Sequence, residues 1–373
     1  MNILFVGPYK QIDEWGRRSR GLLESLKQTD HAITARPIYL SPPFYGYGEE
    51  AEFCISDKYD AVIQFTMPSL AVYDGRCGKN IGIFNSETIY SSAHSAAIPH
   101  MDLMDEVWVD HEDIAASLRK RLSNTQVSVI PPCLSTTQWE AGEMPEGYRV
   151  LRSQENQTEN KFIFYTICSM EEKEGVMDTV LAYYSAFSAS DNVALALIIE
   201  KPSSQEELHR ILEGCKGTVG AIRSHADYAP ISVLNSQSPI TAPLRKCIHQ
   251  EADCFISNTY SLNANSLVWE AAYFQNTPVV NKGSASYEFL HDEGTWGVET
   301  YEEACLLQSR PFHDILTSEE SWRKPIIKSL AEVMREAYVD KYSRDKKRSA
   351  NAKTKEVLES NFSSNRLGEL LCS

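Results

Sequence analysis

The chain has 373 residues, 42% hydrophobic and 23% charged, with 51 acidic against 36 basic side chains and a net charge of −15. That length predicts two domains, each large enough to bury a core. The acidic excess argues against broad nucleic-acid binding and against charge-driven attachment to anionic lipid, and no apolar run approaches the roughly 20 residues that a spanning helix needs.

The run from Asn2 to Val6 reads as a first strand that starts at once, with no basic leader, so no signal peptide is expected. Gly7, Pro8 and Gly16 mark a loop, and Arg17 to Leu26 is an amphipathic helix. Strands follow at Ala61–Phe65, Asn80–Phe84 and Glu106–Val109. Asp110 is placed to cap a helix from His111 to Leu122, with Asp113 in its first turn. A strand at Val127–Ile130 precedes Pro131-Pro132. Residues 135–160 are polar, punctuated by Gly142, Pro145 and Gly147, and read as a linker region.

A second series begins at Lys161. Strands are expected at Phe162–Ile167 and Val193–Ile199, with a helix from Val176 to Phe187 between them and another from Gln205 to Leu212. Cys254–Ile256 and Pro278–Val280 continue the strands, and an apolar helix from Ser266 to Phe274 lies between them. Helices close the chain, one from Ser329 to Tyr342 and another beyond the basic run from Lys346 to Lys355. Strands alternating with helices imply doubly wound parallel sheets, an α/β fold in two halves. Nine scattered cysteines without Cys-x-x-Cys spacing predict reduced thiols, no zinc site and a cytoplasmic location.

The stretch from Asp253 to Asn281 carries the most chemistry. A polar loop leading into a helix N-terminus offers unpaired N–H groups and a favourable dipole to an anion. Glu270 lies a turn inside that helix. It is either a carboxylate on the wet side or one that faces the crevice and accepts from a ligand hydroxyl. Lys173 precedes Gly175 in the loop after the Phe162 strand, and Lys201 follows the Val193 strand; either cation suits a phosphate, and a solvated charged loop is the plainer reading. Arg17 and Arg18 follow Gly16, whose missing side chain permits a close backbone approach. Glu87 stands just past a buried strand, at the sheet's carboxyl end, where open α/β sheets bind ligands. Arg245 and Lys246 are expected on a surface helix. No Asp-x-Asp pair suited to a metal–diphosphate is present.

In order and spacing, several segments resemble the family 4 glycosyltransferases, which have two Rossmann-like domains facing across a cleft (the GT-B fold) and a last helix that returns to the first domain. They are Met1–Val6 with Gly7-Pro8 and Gly16-Arg17-Arg18-Ser19, Phe84-Asn85-Ser86-Glu87-Thr88, Met104–Val109, Val129-Ile130-Pro131-Pro132, Phe162–Ser169 with Gly175-Val176, Leu262–Glu270, Ser286–Leu290 and Asn361-Phe362-Ser363. The resemblance implies an acceptor domain over 1–145 with 356–373 returning to it, and a nucleotide-sugar domain over 146–355.

By that resemblance Glu270 matches the motif glutamate that holds the donor's ribose. Its companion eight positions earlier is absent, because Leu262 stands there. Asn263, Ala264, Asn265 and Ser266 fall on the loop whose backbone contacts the donor. Ser169 stands near the position of the family's arginine. Glu174 occupies that of its lysine, with Lys173 one residue early. Glu87 faces the transferred sugar. The implied activity is retaining, metal-independent transfer of a hexose from a UDP- or GDP-sugar, UDP-glucose foremost, to an acceptor hydroxyl, with no cofactor required. The acceptor is a glycan, a lipid-linked sugar, a small molecule or a modified base in DNA. The missing motif glutamate keeps open a rival, an inactive sugar-nucleotide-binding or scaffold protein of the same fold.

Overall fold

The computed structural model describes residues 1–40, 58–84, 88, 95–139, 150–152, 158, 160–201, 203–222, 227–235, 240–305, 320–360 and 362–372. Glu87 lies outside the described residues, as do Asn85, Ser86 and His94.

The first half runs β1 (Asn2–Gly7), α1 (Glu14–Lys27), β2 (Ala32–Pro37), β3 (Ala61–Thr66), β4 (Lys79–Phe84), α2 (Ala97–Met101), β5 (Glu106–Val109), α3 (Glu112–Arg119) and β6 (Gln126–Val129). Its six strands pair in parallel in the order β2-β1-β3-β4-β5-β6. The second half runs β7 (Phe162–Cys168), α4 (Val176–Ala186), β8 (Val193–Ile199), α5 (Gln205–Gly220), β9 (Ile231–Asn235), α6 (Ala242–Glu251), β10 (Cys254–Ser257), α7 (Ser266–Tyr273), β11 (Val279–Asn281), α8 (Ala285–Gly294) and β12 (Trp296–Val298). These six strands are also parallel, in the order β12-β11-β10-β7-β8-β9. An antiparallel pair, β13 (Thr300–Ala304) and β14 (Ser321–Pro325), is followed by α9 (Ile327–Val339), α10 (Lys341–Glu359) and α11 (Phe362–Cys372).

Helices cover both faces of each sheet, so the central strands are buried and mainly apolar: β3 and β8 are buried at every position, with Gln64 and Thr66 the polar residues of β3. The strands that sequence patterning does not mark are the edges and the hairpin. β2 is half exposed along its length and β13 is mostly exposed, so neither needs an apolar run.

The helix starts differ from the expected ones for local reasons. Asp13 caps α1 by accepting from Gly16 N at 3.2 Å. Gly16 therefore lies inside the first turn, and a Cβ there would sit 1.8 Å from the Gln11 carbonyl. The close approach that demands glycine is to the chain's own loop. Helix α3 is capped by His111, whose Nδ1 accepts from Asp113 N at 3.0 Å. Asp110, expected in that role, is directed elsewhere. The expected helix from Ser329 to Tyr342 breaks at Asp340, which caps α10 by accepting from Ser343 N at 3.0 Å.

Helix α10 runs along the second half, where Asn351 donates to the Asn276 and Gly294 carbonyls. Helix α11 then returns to the first half. Leu367 and Leu371 join Ile3, Phe5, Leu22 and Leu26 in its core, and Ser363 Oγ donates to the Pro132 carbonyl at 2.6 Å.

Candidate functional site

In an open parallel sheet, ligands bind outside the carboxyl ends of the strands where the winding direction reverses. In the second sheet that point lies between β7 and β10. The loop after β7 carries Ser169, Lys173 and Gly175; the loop after β10 carries 258–265. The two loops are tied together. Tyr260 N donates to the Lys173 carbonyl at 2.7 Å, and Asn258 Nδ2 to the Gly175 carbonyl at 3.0 Å. Gly175 has φ +60°, and a Cβ there would meet Asn258 O at 2.3 Å, so only glycine fits. In the first sheet the reversal lies between β1 and β3, and the chain leaving β1 delivers the start of α1. The two reversal points face each other.

The cations divide unequally. Lys173 lies 3.4 Å and Lys201 2.8 Å from the two oxygens of Glu171. Burial pushes the Glu171 carboxyl up, but the two lysines outweigh it and hold it below its ordinary range. Lys173 is mostly buried and Lys201 half exposed. Ser169 turns back on its own loop and accepts from Glu171 N at 3.4 Å.

Arg17 crosses to the second domain. Its guanidinium donates to both oxygens of Glu200, at 2.6 and 3.1 Å, and to Ser266 Oγ at 3.3 Å. Burial opposes its charge, yet Glu200 and Glu14 raise its pKa above the ordinary arginine value. Ser266, the first residue of α7, donates its N–H to Glu14 Oε1 at 2.7 Å and its hydroxyl to Glu14 Oε2 at 2.6 Å. The freed Asp110 accepts from Arg18 at 2.6 Å and from Ala264 N at 2.8 Å. Asn265 caps α7 by accepting from Leu267 N at 3.0 Å, and its own N–H donates to Ser286 Oγ at 2.9 Å. Asn263 is buried, and its Oδ1 has no hydrogen-bond partner. Gly16, Arg17, Ala264, Asn265 and Ser266 thus form one locus, with Lys173 and Lys201 across the β7 and β8 loops.

Leu262, in the motif position where a glutamate is missing, is fully buried. It packs with Met104, Val107, Ile114 and Leu118 of the first domain. The second half therefore plugs an apolar side chain into the first at the edge of the site.

Glu270 is on neither the wet side nor an open crevice wall. It is 0% exposed and paired with Arg245, Nε to Oε2 at 2.9 Å and Nη2 to Oε1 at 3.1 Å. His249 Nε2 lies 3.4 Å from the same Oε2. Burial pushes the carboxyl up, but Arg245 and His249 prevail and hold it well below the ordinary range. The expectation that Arg245 lies on the surface is overturned: it is fully buried, because a carboxylate inside α7 requires an internal cation. Its partner lies 25 residues away, so its own neighbours in sequence carry no signal of the pairing.

Further contacts join the halves. Thr88 Oγ1 donates to Glu320 at 2.8 Å and Arg323 to Asp113 at 3.0 Å. Among the described residues no group of three or more His, Cys, Asp or Glu is arranged to hold a metal, and no helix is long and apolar enough to cross a membrane.

No family model matches the sequence, and no curated protein matches it. Solved structures do. The chain superposes on a trehalose-6-phosphate structure from E. coli bound with UDP-2-fluoro glucose, with a TM-score of 0.64 and 11% identity, covering 100% of this chain and 98% of that one. Anabaena HepE in complex with UDP and glucose gives a TM-score of 0.59 at 13% identity, with the same coverage. The trehalose-6-phosphate synthase OtsA gives 0.57 at 11% identity, covering 84% of this chain and 71% of that one. At such identities the likeness is one of fold. The chain has the GT-B fold of those glycosyltransferases, two Rossmann-like domains facing across a cleft with the last helix returned to the first.

Proposed function

We propose that the protein transfers a hexose from a nucleotide diphosphate sugar to an acceptor hydroxyl. The observation that carries this reading is the meeting of the two sheet reversal points. There a helix N-terminus, the loop amides of Ala264 and Ser266, and the buried Arg17 converge. Those groups suit a leaving diphosphate. The donor rests on the second domain, taken as 146–355, and the acceptor on the first, taken as 1–145 with 356–373. UDP-sugars are the first choice and GDP-sugars the second, since the E. coli and Anabaena neighbours hold UDP-2-fluoro glucose and UDP with glucose. Arg17, Lys173 and Lys201 neutralise the phosphates without a divalent ion, and the anomeric configuration is retained. Glu270, fully buried against Arg245, does not touch the donor's ribose but steadies α7 behind the donor loop, and Glu87 serves the sugar side.

A thermal-shift screen of UDP-, GDP-, ADP- and CDP-sugars tests the donor, because a ligand bound only by the folded state raises its melting temperature. Turnover with sugar, lipid-linked and hydroxymethylated-DNA acceptors tests the transfer. A second reading is favoured by Leu262, which fills the place of the motif's first glutamate with a buried apolar side chain. It is a binding protein of the same fold. Donor binding with no turnover or donor hydrolysis selects it.

A further inference from the structure

We infer that Glu14 and Asp110 are built-in stand-ins for the two phosphates of the donor, forming a latch between the domains that the diphosphate displaces. The inference rests on the proposed donor site and concerns how that site is guarded. Two alternate N–H groups of one loop, Ala264 and Ser266, are each capped by a carboxylate from the opposite domain. Each carboxylate is backed by one of two consecutive arginines. Asp110 Oδ2 receives Arg18 at 2.6 Å, and Glu14 Oε2 receives Arg17 at 3.1 Å. Glu14 also takes the Ser266 hydroxyl at 2.6 Å. Immediately before the first capped amide sits Asn263, 6% exposed, with an Oδ1 that has no partner.

A helix N-terminus attracts anions through its free N–H groups and dipole. Here those groups already hold two, and both come from the domain that must move for a ligand to enter. A diphosphate carries the same chemistry as the two carboxylates: oxygen acceptors for the amides and negative charge for the arginines. It would take over the Ala264 and Ser266 amides and inherit Arg17 and Arg18 as counter-ions. The released carboxylates would leave toward solvent. Glu14, 29% exposed, has the shorter way out. Asp110, 7% exposed, is the deeper of the two. The cost of breaking these contacts is charged to every ligand, so apparent affinity falls in proportion to the fraction of molecules unlatched.

The test is calorimetric titration of inorganic pyrophosphate into the wild-type protein, Glu14→Gln, Asp110→Asn and the double variant, each checked for fold by near-ultraviolet circular dichroism. The inference expects each single variant to bind pyrophosphate more tightly and the double variant at least about tenfold more tightly. Unchanged or weaker binding overturns it, and shows the carboxylates to be ordinary domain contacts. If Glu14→Gln does not fold, Glu14→Asp keeps the charge and withdraws it by one methylene, and the same gain is required of it. The two readings fail separately. Tighter pyrophosphate binding with no nucleotide sugar accepted leaves the latch and removes the donor. Nucleotide-sugar turnover with equal affinities in all variants leaves the donor and removes the latch.

Discussion

Arg17 in the first domain and Glu200 in the second form a two-pronged ion pair at 2.6 and 3.1 Å, with only 3% of the arginine side chain exposed. A guanidinium suits this task because its planar fork meets both oxygens of one carboxylate. Removing one partner of a buried pair strands the other. Arg17→Ala is therefore expected to destabilise the protein by roughly 3 kcal/mol and to weaken donor binding as well. A double-mutant cycle with Glu200→Gln, read by urea denaturation, should give a coupling above about 1 kcal/mol. Additive losses would mean that the pair does not hold the domains.

Glu270 and Arg245 set the acid limit of the second domain. The carboxyl lies below its ordinary 4.5 in the folded state. Its contribution is therefore complete above the unfolded value and is lost as pH falls below about 4.5 toward the folded one. Glu270→Gln should cost roughly 3–5 kcal/mol at neutral pH and flatten the acid side of the stability curve. Donor affinity should fall with it. A variant that melts like the wild type and binds the donor equally well would remove both roles.

Lys173 tests the chemistry with less disturbance. Its pairing with Glu171 spans 3.4 Å, and Lys201, at 2.8 Å from the other oxygen, keeps Glu171 paired when Lys173 is removed. Lys173→Ala should melt almost unchanged while turnover falls. Unaltered kinetics would pass the role to Lys201 or Arg17. Activity that vanishes with a chelator and returns only with a divalent ion would refute metal-independent transfer.

Leu262→Glu puts back the carboxylate that the motif lacks, yet here it should not restore function. The side chain would enter an apolar cluster of the first domain, where an unpaired charge is costly. Burial would raise the new carboxyl's pKa, so the folded state would bind its proton more readily than the unfolded one. The destabilisation should then be largest at neutral pH and ease as pH falls. Melting curves between acid and neutral pH decide this; a loss that does not depend on pH would point to steric misfit alone.

Removal of α11 by truncation after Ser360 uncovers the first domain's core. Leu367 and Leu371 are buried there, and each contributes roughly 1.5–3 kcal/mol on burial. The truncated protein should melt at a lower temperature, with the loss in the first domain by hydrogen exchange. The same melting behaviour and donor affinity would make the tail dispensable.

Local pattern alone carried the parallel sheets. The runs Ala61–Phe65, Phe162–Ile167 and Val193–Ile199 are apolar but for Gln64 and Thr166, because strands covered on both faces have no wet side, and that demand is written into consecutive residues. The return of the last helix came from the resemblance, and Leu367 and Leu371, four residues apart, supply the apolar face that returns. The loop from Asn263 to Ser266 was legible as an anion-seeking helix entry. What fills it was not. Asp110 read as a helix cap, and Glu14 and Glu200 drew no reading, since nothing near them in sequence shows that they reach across a domain boundary. Arg245 read as exposed because its partner is 25 residues away, and Leu262 read as a mere absence until its contacts in the other domain were visible. A side chain's burial and ion partner depend on which elements the chain brings together across hundreds of residues, and only the tertiary structure decided that.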